Sequence, residues 1–223
     1  MERVKLAVFP LLAALLLALP GCAAAPSPTQ LTALVAGNLD TLYRGQAEEE
    51  YLLLTGADAG QVESAYEQGL AREAAFFCRY FDVEDPDEAL LGEVADLYRK
   101  IYPLTLYTVE DAVKESRDVY AARVQVTPVG VFASVLSDPA EMQAAFAEAH
   151  RGADLSAMTP AEKASYGADW ARTVMAAVRF RLPGAGYRDP VSFTVHVERG
   201  EDGVWRVNAD DLRQVDEAVI YYP

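Results

Sequence analysis

The chain has 223 residues, 52% of them hydrophobic, with 12 Tyr and 8 Phe. That is too apolar and aromatic for a disordered polypeptide, and long enough to build one sizeable core. Its 19 basic and 34 acidic residues give a net charge of −15, which excludes both the basic footprint of a nucleic-acid binder and docking on anionic lipid through surface charge. The acidity reads as a solubility device of an exported protein.

Arg3 and Lys5 precede an apolar run from Leu6 to Leu19, broken only by Pro10. A charged start and a short apolar run form the pattern of an export signal, and the run falls short of the roughly 20 residues that a membrane-spanning helix needs. It ends in Leu19-Pro20-Gly21-Cys22 and passes at once into small residues and prolines. That tetrapeptide resembles the lipobox of bacterial lipoproteins. The resemblance implies that the Cys22 thiol receives a diacylglyceryl group and that cleavage falls just before it. Residues 1–21 are then a lipoprotein signal peptide, and the protein is held on the cell membrane by lipid, facing outside the cytoplasm. The residues alone also admit ordinary secretory cleavage near Ala23-Ala24-Ala25, with Cys22 discarded. Residues 22–30, with Pro26 and Pro28, read as an extended tether. Residues 31–223 read as a single domain. Without the signal peptide, 17 basic and 33 acidic residues remain.

With Cys22 acylated, Cys78 has no partner in the chain. It lies in the run Ala74-Ala75-Phe76-Phe77-Cys78-Arg79-Tyr80-Phe81 and reads as a small buried hydrophobe.

Residues 32–54 are helix-rich, weakened by Gly37 and Gly45. Residues 59–81 place Val62, Tyr66, Leu70, Phe77 and Phe81 near one helical face. Three boxes then mark helix starts: Asp85-Pro86-Asp87-Glu88, Asp138-Pro139-Ala140-Glu141 and Thr159-Pro160-Ala161-Glu162. Each offers a capping side chain, a proline that leaves no orphan N–H at the first helical position, and a Glu able to reach back to the cap amide. The first box also lies in a calcium-loop-like acidic stretch. A proline at that loop's fifth position and no glycine at its sixth make the capped helix the better reading. Leu90, Leu91, Val94, Leu97, Tyr98 and Ile101 continue a core stripe behind it.

Leu104 to Val113 and Val119 to Val131 are rich in Val, Thr and Tyr and read as a hairpin with a polar joint at residues 115–118. Helices follow over 138–150 and 159–181, the second carrying Trp170, Val174 and Val178 at spacing four. Leu182-Pro183-Gly184-Ala185-Gly186 breaks it; its Gly-x-Gly follows a helix and reads as a loop. In the next strand Val191, Phe193, Val195 and Val197 alternate with Ser192, Thr194, His196 and Glu198, so His196 is predicted on the solvent face. Residues 200–203 turn the chain into Val204-Trp205-Arg206-Val207, where alternation puts Trp205 inward. Residues 209–220 read as a short helix or tail.

The order of helices, hairpin, helical pair and closing hairpin resembles the nuclear-transport-factor-2-like superfamily, a cystatin-like α+β group. The nearest local match is Val191 through Leu212. The resemblance implies an α+β fold in which N-terminal helices pack on a curved antiparallel sheet, forming a cone, with a helical insertion between the two hairpins. Enzymes of that superfamily place acid–base residues, often an Asp–His pair, inside the cone. Here His150 closes a helix and His196 faces away from the apolar set. No Ser-His-Asp arrangement, metal-spaced cluster or phosphate loop stands out, so neither catalytic residues nor a cofactor is expected. The expected function is a lipid-anchored extracytoplasmic domain binding a small apolar ligand, a peptide or an envelope protein. The alternatives are an enzyme of the same fold using carboxylates, or a structural part of an envelope complex.

Overall fold

The computed structural model describes residues 26–137 and 139–223. Helix α1, Pro28–Arg44, starts at a capping box in which Ser27 Oγ accepts from the Gln30 N–H and Gln30 Oε1 accepts from the Ser27 N–H. Residues 28–30, read above as tether, are therefore already helix. Gly45 ends α1 in the left-handed region at φ 62°, where side chains other than glycine are strained. The helix-rich stretch over 32–54 is thus two helices, α1 and α2, Glu49–Thr55. Gly37 lies within α1, and its lack of a side chain lets the Tyr51 ring of α2 pack on the helix; a Cβ there would stand 2.1 Å from Tyr51 Cδ2.

Helix α3, Ala59–Tyr80, carries the expected stripe, with Val62, Leu70 and Phe77 buried. Helix α4, Glu88–Ile101, is capped by Asp87, whose carboxylate accepts the Leu90 N–H at 2.7 Å. The cap is two residues beyond the predicted Asp85, which has φ 47° and belongs to the preceding loop. Both acids could cap. Pro86 disfavours helical geometry at the residue before it, so the helix starts on the far side of the proline.

The sheet is antiparallel throughout. Strands β1, Leu106–Val109, and β2, Val113–Lys114, both pair with β3, Val119–Thr127. Strand β4, Val191–Arg199, lies on the other side of β3, and β5, Trp205–Val207, on the other side of β4. The arm read as one strand over 104–113 is therefore split. Glu110 still donates its N–H to the Arg123 carbonyl at 2.8 Å, but Asp111 and Ala112 leave the ladder, and the Ala112 N–H is held by Thr32 Oγ1 of α1 at 2.8 Å. The opposite arm ends at Thr127 before Pro128, and Val131–Val135 turns into a short helix, α5, instead of continuing as strand. Helices α6, Pro139–Ala149, and α7, Pro160–Arg181, form the insertion, and α8, Ala209–Val219, follows β5 with Asn208 as its cap.

Alternation decides which sheet face is core. Tyr120, Ala122, Val124 and Val126 of β3 and Val195 and Val197 of β4 are buried together with Leu31, Leu34, Val35 and Leu39 of α1. Arg123 and Gln125 between them are exposed. Trp205 is 4% exposed and meets Tyr120 edge-on with ring centroids 5.5 Å apart, while Arg206 turns out to Asp202. The result is an α+β fold with a curled antiparallel sheet, α1 on its inner face and a helical insertion between β3 and β4.

Two expectations follow. Trp205→Ala should lower stability by about 3–5 kcal/mol, the usual cost of truncating a buried aromatic. Urea unfolding followed by circular dichroism measures this, and a loss under about 1 kcal/mol, the range of mild surface changes, would reject the core position. Cys78 is 1% exposed, and burial pushes its thiol up from the ordinary cysteine range. Native protein should therefore react with a maleimide far more slowly than urea-unfolded protein; equal rates would place the thiol at the surface.

Candidate functional site

The outward face of the sheet carries a shallow polar depression of about 400 Å³. Its floor is Ala121 and Arg123 of β3 with Ser192 and Thr194 of β4, and its rim is Glu110, Asp111, Val113 and Glu115. The register makes it: Arg123 pairs with Thr194 and Ala121 with His196, so alternate residues of both strands line one surface. The rim exists because residues 111–112 bulge off the ladder before β2 rejoins β3.

Beside the depression, three elements bring Glu115, His196 and Asp211 into line. Asp211 Oδ2, from the first turn of α8, accepts both the His196 backbone N–H at 2.9 Å and the ring Nδ1 at 2.7 Å. His196 Nε2 stands 3.6 Å from Glu115 Oε2 across the small Ala121. Alternation places His196 on the outward face as predicted. Its side chain is nonetheless only 32% exposed and is tied to α8, which the strand pattern does not show. The Asp–His pair lies away from the core face, unlike the arrangement that the superfamily resemblance implies for enzymes. Among the described residues no three His, Cys, Asp or Glu side chains gather into a metal-ligand set.

A second polar cluster lies inside the helical layer. Tyr43 donates to Asp216 at 3.0 Å and Tyr222 donates to Glu73 at 2.9 Å, while the Tyr98 and Tyr222 hydroxyls bond to each other. Burial pushes the phenols of Tyr43, Tyr98, Tyr102 and Tyr222 well above the usual tyrosine range, and the neighbouring Glu73 carboxylate pushes each the same way. Tyr222 also stacks on Phe132 at 4.5 Å and meets Phe76 and Tyr80 at 5.0 Å. These side chains join α1, α3, α4, α8 and the C-terminal residues into one hydrogen-bonded, stacked unit. Sequence reading placed Tyr98 in a core stripe and gave Tyr43, Tyr102 and Tyr222 no role, because partners as distant as Tyr43 and Asp216 share no local pattern.

Of the other residues singled out, Cys22 lies outside the described residues. Cys78 is buried among Phe77, Phe81 and Tyr98 in the core. His150 follows the last turn of α6, with Nδ1 on the Phe146 carbonyl at 2.9 Å and its ring on that of Phe146. It is 3.8 Å from Asp169 and far in sequence from the outward-face cluster.

No protein-family model matches the chain, and no curated protein matches it in sequence. Among solved structures, the fold is similar to the crystal structure of a candidate lipoprotein, YcdA, from Bacillus subtilis, with a TM-score of 0.53 at 15% identity. The match covers 86% of this chain and 56% of that one, so the chain spans little more than half of YcdA's length. At this identity the likeness is one of fold.

Proposed function

We propose that the chain is a bacterial lipoprotein, acylated at Cys22, that presents a nuclear-transport-factor-2-like domain outside the cytoplasm and binds a partner there without turning it over. The observation that carries this reading is the apolar run ended by Leu19-Pro20-Gly21-Cys22, only five residues ahead of Ser27, the cap of α1. A lipid modification there would anchor the folded domain directly. Among the described residues no helix is long and apolar enough to cross a membrane, so the domain itself offers no helical anchor. Two acyl chains on one cysteine give the stable attachment that one chain does not. The fold likeness to YcdA supports the lipoprotein reading, and α1 lying in a curled sheet supports the superfamily resemblance.

The depression on the outward face supports the binding role. Its volume of about 400 Å³ falls within the range of small-ligand sites, and its lining of Arg123, Ser192, Thr194 and three carboxylates suits a polar peptide or protein segment better than an apolar molecule. The core instead is filled by close-packed aromatic side chains, Tyr43, Tyr98, Phe77 and Phe132 among them.

Replacing Cys22 by Ala should abolish acylation and leave the precursor uncut, as read by intact mass and N-terminal sequencing of protein expressed in a bacterium. A variant with the same mature N-terminus as wild type would overturn the anchoring. Native mass spectrometry of detergent-solubilised protein from its own host tests the binding role. A retained mass that is lost in Arg123→Glu supports the outward face, and one retained equally in both proteins moves the site elsewhere.

A further inference from the structure

We propose that the outward depression binds the C-terminal end of a basic peptide, a terminal lysine or arginine whose carboxylate sits on Arg123 and whose side-chain cation sits on Glu110 and Asp111. This rests on the reading of that face as a binding surface, names the chemistry it recognises, and is independent of acylation at Cys22.

The anion side is Arg123. The backbone puts it in the middle of one cross-strand row. Glu110 stands opposite it on the β1 side, where its N–H donates to the Arg123 carbonyl at 2.8 Å, and Thr194 stands opposite it on β4. Ser192 lies diagonally across on the same face. The arginines of β4 and β5 are engaged, Arg199 by Asp118 and the Gly203 carbonyl, Arg206 by Asp202. Among the described residues the Arg123 guanidinium makes no hydrogen bond or ion pair, and the Ser192 and Thr194 hydroxyls make no hydrogen bond. A guanidinium presents paired N–H groups that match a carboxylate, and the two hydroxyls add donors beside it.

The cation side is made by the bulge. Glu110 pairs with Arg123 and Val113 with Ala121, so Asp111 and Ala112 together oppose Ala122 alone. Regular alternation would turn Asp111 inward beside the buried Ala122. The extra residue turns Ala112 into the core instead, where it is 4% exposed, and leaves Asp111 outside next to Glu110. Among the described residues neither of these carboxylates forms an ion pair. Glu115, the third carboxylate of the rim, is turned to His196. With three carboxylates and one guanidinium lining the depression, an anion alone is repelled and a cation alone leaves Arg123 unmatched. A ligand carrying both charges satisfies both sides. From Glu110 to Thr194 the row spans two strand spacings, roughly 10 Å, so the two charges must lie close together. A terminal lysine or arginine carries both on one residue. In an internal segment they sit on separate side chains, whose ordering costs more entropy. The alternative is that Glu110 swings onto Arg123 and the two neutralise each other, leaving a place for neither charge.

Calorimetric titration of acetyl-Gly-Gly-Lys into detergent-solubilised full chain separates the two. The expected result is one saturable site per chain, weakened by added NaCl. Arg123→Gln should weaken it about 10-fold or more, and so should amidation of the peptide's C-terminus, since each removes a charge-assisted hydrogen bond. Glu110→Gln combined with Asp111→Asn should abolish the preference for lysine over its neutral analogue norleucine. Glu110, Asp111 and Arg123 are all exposed, so these variants test the site without disturbing the fold. Absence of saturable binding, equal affinity for the amide, equal affinity in Arg123→Gln, or a lysine preference that survives the rim variant each overturns the proposal. A host-derived mass that is lost in Arg123→Glu, from a protein with no affinity for the tripeptide, would keep the face as a binding surface and reject this ligand, so the two failures are distinguishable.

Discussion

The ladder between β3 and β4 is the constraint on which the rest of the structure depends. Eight residue pairs, from Val119–Glu198 to Val126–Val191, join stretches of chain that are more than 60 residues apart. Every element between them, α5, α6 and α7, forms a loop that this ladder closes. Loop-closure entropy grows only with the logarithm of length, so an insertion of this size is tolerated once the ladder's side chains are buried. The ladder also divides the sheet. Tyr120, Ala122, Val124 and Val126 face Leu31, Val35 and Leu39 of α1, while Ala121, Arg123, Thr194 and His196 face outward. A slip of one residue would exchange the two sets, placing Arg123 in the core and Val124 in water.

The two faces handle polar groups in opposite ways. Inside, the tyrosine hydroxyls of residues 43, 98 and 222 and the carboxylates of Glu73 and Asp216 satisfy one another, as buried polar groups must if they are not to cost stability. Such a network favours one arrangement of α1, α3, α4 and α8 over neighbouring ones, because any helix shift leaves a hydroxyl or carboxylate unmatched. Outside, Asp211, His196 and Glu115 stay partly accessible. The inner network fixes α8 through Asp216, and the same helix presents Asp211 to His196 five residues earlier. The geometry of the outward site therefore rests on the packing of the core.

Much of the fold is legible in the sequence, because it rests on local signals. The alternation in residues 191–198 and 204–207 places Val195, Val197, Trp205 and Val207 inward, and the box at Thr159 marks the start of α7. What is not legible depends on contacts made at a distance. Gly37 and Gly45 look alike in sequence. One lies within the helix and makes room for the Tyr51 ring, and the other ends the helix in the left-handed region. The split of β1 from β2 depends on Thr32 capturing the Ala112 N–H from another element. Strand periodicity puts His196 on the right face, yet nothing near it in sequence announces Asp211 or Glu115. Their meeting follows from the β2–β3–β4 register and from the turn at Asn208, whose N–H bonds the His196 carbonyl at 2.8 Å.

The start of α1 ties the outward site to the proposed anchor. Pro26 is buried and Ser27 caps the helix, so an acylated Cys22 would be separated from fixed structure by only a few residues. Each residue of extended chain spans at most about 3.6 Å, which limits the distance between Cys22 and Pro28 to roughly 20 Å. The first turns of α1 would then lie close to the membrane surface. Thr32, in those turns, holds Ala112, and Asp111 and Glu110 immediately before it form the rim of the depression. An anchor at Cys22 thus brings the acidic rim to the membrane-proximal end of the domain. On an anionic membrane, headgroups would repel those carboxylates within a Debye length of about 8 Å, which would tilt the rim away from the lipid and leave the depression open. With an anchor at Cys22, tether and rim would act together: the tether would limit how far the domain can move from the membrane, and the charge would limit which way it can lean.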